Sequence, residues 1–301
     1  MKKLLLLTML MPVVAFGQSE SGEDNQIGGY SYFSFGYETV NYEERQSDTI
    51  RFNNRDVPYK ISTDGKVASP TIRAGGLYRV SNTLDFSMDG SATFAPEVDR
   101  ETWLLDIELP ELNISGENEV QTNDFSFTDA TNTGLLHYKY TENWRLVTGA
   151  EFLLHTFKRA NIEAKPPVEA NAEFSEEVVA NINVLAGLAY ESDQLRGSSS
   201  QLSAKLLFGV PVWADVLNSE NTHLEFNETG GYSINAEARY TFKITQGFNL
   251  GVFAAYRLTE RDRQSQSMME TLDGVIKTTV VSIPEATTSS VALGLTMAWD
   301  L

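Results

Sequence analysis

No cysteine occurs anywhere in the 301 residues. Disulfides are therefore excluded as a staple, and a lipid anchor on a cysteine behind a leader peptide is excluded with them. Beyond the first seventeen residues, no apolar run approaches the roughly 20 residues that cross a bilayer as a helix. Basic residues are scarce, with 23 Lys and Arg against 41 Asp and Glu, and only three His. The clustered cations that grip a phosphate backbone are missing, so nucleic acid is not an expected partner. No Ser/His hydrolase constellation, phosphate-cradling loop or zinc-spaced motif is present, and neither a cofactor nor a metal is expected.

The first part of the chain is a leader. Lys2 and Lys3 give it a charged start, Leu4 to Phe16 an apolar stretch, and Ala15-Phe16-Gly17 the small residues of a cleavage site. Residues 1–17 are thus expected to be removed as a signal peptide, residues 18–26 to form a short periplasmic segment, and 27–301 to fold. Losing Lys2 and Lys3 leaves 21 basic and 41 acidic residues, a net charge near −20.

What the chain has is alternation. From Val291 to Leu301 the odd positions are Val, Leu, Leu, Met, Trp and Leu, whereas the even ones are Ala, Gly, Thr, Ala and Asp. Segments of about ten residues with this period of two, bounded by turn residues, are the signature of strands with hydrocarbon on one side and a lumen on the other. The pattern recurs at Ile27–Tyr37, Ile72–Val80, Leu84–Phe94, Gly134–Tyr140, Trp144–Leu154, Ala180–Tyr190, Leu202–Val212, Tyr232–Phe242 and Phe248–Leu258, with Phe253 as an exception. That makes ten strands. The connections after even strands are short. Those after odd strands are long, at about 41–69, 95–131, 157–175, 213–229 and 260–285, which matches periplasmic turns and extracellular loops. Aromatic residues gather near the short turns (Tyr138, Tyr140, Trp144, Tyr190, Tyr240, Trp299) and toward the long loops (Phe35, Tyr37, Phe94, Phe152, Phe208, Tyr256), as two membrane girdles would.

On these residues the chain resembles the Gram-negative outer-membrane β-barrel proteins as a class. The resemblance implies an all-β fold, an antiparallel transmembrane barrel in the cell outer membrane. Its implied partners are outer-membrane lipid and lipopolysaccharide, the outer-membrane assembly machinery and a surface ligand. Such proteins usually end on an aromatic residue, whereas this chain ends on Leu301 with Trp299 two before it. A twelve-stranded alternative would use Trp103–Leu109 and Val275–Val281 as further spans, although Glu108, Pro110 and Pro284 oppose it.

The lumen-facing register collects Arg73, Arg79, Asp85, Asp89, Lys139, Arg145, Glu151, Lys205, Glu237, Arg239 and Arg257. Mixed signs in a narrow barrel point to a paired plug, with a narrow porin-like solute path as the other outcome. The second long loop carries ten carboxylates, from Glu97 to Asp129, against Arg100 alone. It lacks the spacing of a calcium loop, so a solvated surface is the expectation. The expected role is non-enzymatic, with loops presented for surface interaction. The chain is also similar to the ten-stranded omptin proteases in strand count, loop placement and acidic second loop. That similarity would make Asp99 and Glu101, with His223 and Glu225, the catalytic group, although the order His-Leu-Glu is reversed and Glu replaces Asp.

Overall fold

The computed structural model describes residues 28–166, 173–192, 200–220, 222, 224–272 and 275–301. The leader, the 18–26 segment, the Ser/Gly turn at 193–199 and His223 lie outside them. Alternation produces thirteen strands: β1 (Gly29–Phe52), β2 (Arg55–Arg79), β3 (Leu84–Thr93), β4 (Asp99–Ile107), β5 (Glu117–Lys139), β6 (Trp144–Ala164), β7 (Phe174–Glu191), β8 (Ser200–Asn218), β9 (Tyr232–Thr245), β10 (Phe248–Arg261), β11 (Gln264–Leu272), β12 (Val275–Ile283) and β13 (Glu285–Asp300).

These strands make a closed antiparallel wall with ten positions. The order runs β1-β13-β10-β9-β8-β7-β6-β5-β3-β2, and β1 pairs with β2 to close it. Closure leaves no sheet edge at membrane depth, where water could not satisfy one. The twelve-stranded arrangement is not adopted. β4 takes over from β3 between the same neighbours, β2 and β5, after a break at which Ala95 has φ 47° and Pro96 follows. Likewise β11 and β12 pair with each other just beyond the point where β10 and β13 stop at Arg261 and Ala286.

Following the ladders from Asn41 through Ser289, Leu258, Ile234, Phe208, Ala186, Thr148, Leu136, Phe86 and Tyr78 returns to β1 at Gly29. The return is twelve residues short of the start. Ten strands with that stagger tilt by about 40°, so each residue climbs about 2.5 Å along the axis. On this slope Tyr37, Tyr256, Phe208 and Phe152 fall at one level and mark the upper edge of an apolar belt about 25 Å tall. The side chains of Leu293, Leu295 and Val252 point outward and are 60%, 63% and 51% exposed, whereas Ala292 and Thr296, which flank the two leucines, are each 1% exposed.

The long connections differ most from expectation. Segment 41–69 is no loop: β1 and β2 run on as a hairpin to a turn at Asn53-Asn54, both at positive φ. Segment 95–131 holds β4, a single 3-10 turn at Pro110–Leu112 and the upper half of β5. The described parts of 157–175 and 260–285 are also mainly strand, and in 213–229 β8 runs on to Asn218. Backbone groups above the belt still need partners, and here the ladders supply them. The strands therefore rise past the belt as a crown.

Phe253, the exception to the alternation, points inward and is 3% exposed. Its ring lies against two glycines, Gly36 and Gly294, which face each other across β1 and β13. A Cβ on Gly294 would meet both the Phe35 carbonyl oxygen and the Phe253 ring.

Candidate functional site

The strands of the closed wall send alternate residues into the lumen, and there they pack in decks. Nearest the short turns, Asp85 is fully buried and accepts from Arg145 Nε at 2.9 Å, with Lys139 Nζ at 3.0 Å. One deck higher, Asp89 accepts from Tyr32 Oη at 2.6 Å and Lys205 Nζ at 2.8 Å. Glu237 lies 3.2 Å from Arg73, 3.1 Å from Arg239 and 3.8 Å from Lys205. The Arg239 guanidinium lies over the Tyr32 ring, 3.4 Å from its centroid. Above these, Arg257 donates to Asp129 at 2.9 Å and Asn235 at 2.9 Å, and stands 3.6 Å from Glu151. Arg79 lies at the foot of β2, its Cα paired with that of Asp85.

Between the ion pairs the lumen is filled by apolar groups that the sequence reading did not single out. Leu135, Val147, Leu185, Ala189 and Leu207 face inward from β5 to β8. Two voids among the described residues, of ≈ 20 and ≈ 40 Å³, have room for a few water molecules. Higher still, His155, Phe127 and Phe157 form an aromatic layer with ring centroids 5.0 to 6.0 Å apart. Around it pack Val40, Val67, Val179, Val216 and Phe226.

The crown closes over this layer with a second ionic cage. Arg159, 8% exposed, donates to both carboxylate oxygens of Glu101, at 2.7 and 3.1 Å, and lies 3.3 Å from Glu44. Its guanidinium carbon is 5.2 Å from the Trp103 ring centroid, 5.8 Å from that of Phe125 and 5.9 Å from that of Tyr42. Arg261 donates to Glu177 at 2.6 Å, and the Tyr42 hydroxyl donates to Glu44. Burial, with Glu177 close by, pushes the Glu44 carboxyl above the usual range against the pull of Arg159 and Arg261. Irregularities gather at this height. The β4–β5 register shifts at Trp103/Leu104, the β5–β6 register shifts between Thr122 and Asp124, and Asn161 has φ 51°. Such bulges re-aim side chains, here bringing Glu101, Asn123 and Arg159 onto the same inner face.

The four residues of the protease-like reading are not brought together among the described residues. Glu101 is fully buried and held by Arg159 and Asn123. Asp99 is exposed and accepts from the backbone N–H of Lys66 and of Arg100. Glu225 is exposed, and His223 lies outside the described residues. The acidic second segment is also less solvated than expected. Asp129 turns inward to Arg257, Glu119 pairs with Lys165, and Asp124 pairs with Arg100. No group of three or more potential metal-binding side chains occurs among the described residues.

No protein-family model matches the chain. No curated protein matches it either. Among solved structures, the outer membrane protease OmpT from Escherichia coli superposes with a TM-score of 0.59 at 8% sequence identity, covering 91% of this chain and 97% of that one. The chain has an outer-membrane β-barrel fold. With OprG of Pseudomonas aeruginosa the TM-score is 0.31 at 9% identity, covering 91% of this chain and 96% of that one. A FadL homologue of Pseudomonas aeruginosa gives 0.29 and 9%, covering 90% of each chain. At 8% identity the likeness to OmpT is one of fold and carries no residue roles.

Glu101 was singled out for a different role, and Glu44, Arg159 and Arg261 were missed because they fell in segments read as loops. A signal was present. Glu151, Leu153, His155, Phe157 and Arg159 share one parity along β6, so the inner face, readable as far as His155, could have been extended to Arg159.

Proposed function

We propose that this outer-membrane barrel is sealed and non-enzymatic, and that it acts through its extracellular crown by contact with a surface ligand or envelope sugar. One observation carries the reading: among the described residues, ionic and aromatic decks occupy the lumen from Asp85 near the short turns to Glu101 in the crown, with small voids such as those of ≈ 20 and ≈ 40 Å³ between them. A solute path would need several of those pairs to part at once. The rigid feature left for recognition is the crown, whose ladders hold its strands at fixed spacing. The leader, the short-turn end in the periplasm and the lipopolysaccharide contact belong to the same reading.

Planar-bilayer recording on refolded protein tests it. The wild type is expected to stay silent across the voltage range, and steady conductance that changes when Arg73, Lys205 or Arg257 is neutralised would instead establish a narrow pore. The protease-like reading is tested on the same preparation with basic peptides. No cleavage is expected, and turnover that disappears in His223→Ala would replace the proposal.

A further inference from the structure

β7, β8 and β10 all climb past the aromatic girdle, but β9 does not. It begins at Tyr232, whose ring stacks on the girdle residue Phe208 with centroids 6.0 Å apart, and its ladder to β8 ends at Gly209 opposite Ser233. β8 runs on to Asn218, still paired with β7, so above Gly209 the crown wall lacks one strand. Residues 224–231 cross that gap without regular structure apart from one bridge. Three hydrogen bonds tie them to their neighbours among the described residues. Val216 N–H donates to the Phe226 carbonyl at 2.8 Å, Glu228 N–H to Gln264 Oε1 at 3.2 Å, and Gln264 Nε2 to the Glu228 carbonyl at 3.0 Å. A folded chain averages about one bond per residue, and local openings are drawn from segments bonded this thinly. The crossing ends at Gly230-Gly231, where Gly231 has φ 99° and a Cβ would run into the Glu260 carbonyl oxygen.

Phe226 is what this segment buries. Its ring packs among Val40, Val67, Phe127, Phe157, Val179 and Val216, and every other member of that cluster comes from a paired strand. The crossing segment thus seats one phenyl ring in an apolar pocket whose walls belong to the barrel. Outside, the β8 border of the gap is apolar from the girdle upward, with Phe208, Val210, Val212 and Trp213 all exposed. A register shift against β7 at Ile182/Asn183 leaves Val212 and Trp213 both facing outward. With about 2.5 Å of climb per residue, Trp213 stands about 10 Å above the girdle.

We infer that residues 224–231 are a strap over a lateral window, and that the pocket beneath Phe226 receives an apolar, ring-bearing molecule from the leaflet on the crown side. The strap's own ring shows the shape that fits: when the strap swings out about Gly230-Gly231, a ligand ring takes over the contacts that Phe226 gives up. A charged molecule is rejected, because the pocket offers hydrocarbon in place of its water. A membrane-dissolved one reaches the window along Phe208, Val210 and Trp213. Beneath the pocket the ionic decks stay paired, so the molecule is held and not passed through. This names a ligand class for the crown and rests on the recognition role proposed for it.

The absence of native cysteine allows a clean pair of nitroxide labels, on Asn227→Cys in the strap and on Asn41→Cys on the outer face of β1. In lipid vesicles, pulsed electron resonance should give one distance for the closed strap. p-Xylene should add a second distance that saturates with dose, and the charged analogue p-toluate should add none. Phe226→Ala should show the second distance without any added ring, with heat-modifiable gel mobility confirming that the barrel still folds. A control pair, Asn41→Cys with Thr128→Cys, should not move. A strap distance unchanged by p-xylene, an equal response to p-toluate, an equal shift in the control pair, or a strap that stays closed in folded Phe226→Ala would overturn the inference. Bilayer conductance, which would defeat the sealed reading, leaves these distances just as informative.

Discussion

Replacing Arg159 with Met tests how much the crown relies on its ionic cage. Methionine keeps the apolar stem and stops short of the guanidinium, so what is lost is the charge, its hydrogen bonds and its contact with the Trp103, Phe125 and Tyr42 rings. Glu101, fully buried, would lose two donors and keep one, the Asn123 amide at 2.6 Å. Glu44 would lose its nearer cation and keep Arg261 at 4.0 Å. Removing one partner of a buried pair costs about 3–5 kcal/mol, because the other charge stays buried without compensation. The double variant Arg159→Met with Glu101→Gln should recover a large part of that loss, since an amide needs no counter-ion. Urea unfolding from lipid vesicles, followed by tryptophan fluorescence, measures both variants, and their difference gives the coupling. If Arg159→Met costs under about 1 kcal/mol, or the double variant is as unstable as the single, then the cage is open to water and the reasoning fails.

Further outcomes follow from neighbouring groups. Glu44 has its carboxyl raised in the fold, so its contribution is present at pH below the usual Glu range and is lost as pH rises through the raised value; Glu44→Gln should flatten that part of the stability–pH profile, and an unchanged profile would exclude it as the titrating group. Phe226→Ala removes a ring 1% exposed in the upper cluster and should cost about 3–5 kcal/mol by the same urea assay, with a loss under 1 showing that the ring is not packed there. Gly294→Ala sets a methyl against the Phe35 carbonyl and the Phe253 ring and should cost about 1–3 kcal/mol, whereas Gly294→Ala with Phe253→Leu should be relieved relative to it. Arg263→Ala breaks an exposed pair with Asp48, which its guanidinium holds below the usual carboxylate range, and global stability should change little.

The barrel was legible because its wall faces two solvents. In Val291–Leu301 hydrocarbon selects every second residue, and the resulting pattern survives in the bare sequence. The crown was not legible by that signal. Above the girdle both faces meet polar surroundings or protein, so β1 beyond Thr39 and β5 above Ala130 carry no apolar band. The lumen was half legible. Charged inward residues such as Asp89, Lys205 and Arg239 stand out against the alternation. Leu135, Leu153 and Leu185 resemble lipid-facing residues until the register shows that they point inward. Partners in the cage are separated by 58 residues between Glu101 and Arg159 and by 84 between Glu177 and Arg261, so no local spacing announces them.

The most direct test of the two-solvent wall is spin-label accessibility along β13. Single cysteines at each residue from Val291 to Thr296 would carry a nitroxide in lipid vesicles, with oxygen and a water-soluble nickel complex as competing quenchers. Oxygen contact should peak at Val291, Leu293 and Leu295, and both quenchers should be weak at Ala292, Gly294 and Thr296. Low oxygen contact at all six positions would contradict the account, because it would place the large apolar residues between packed protein layers instead of against lipid.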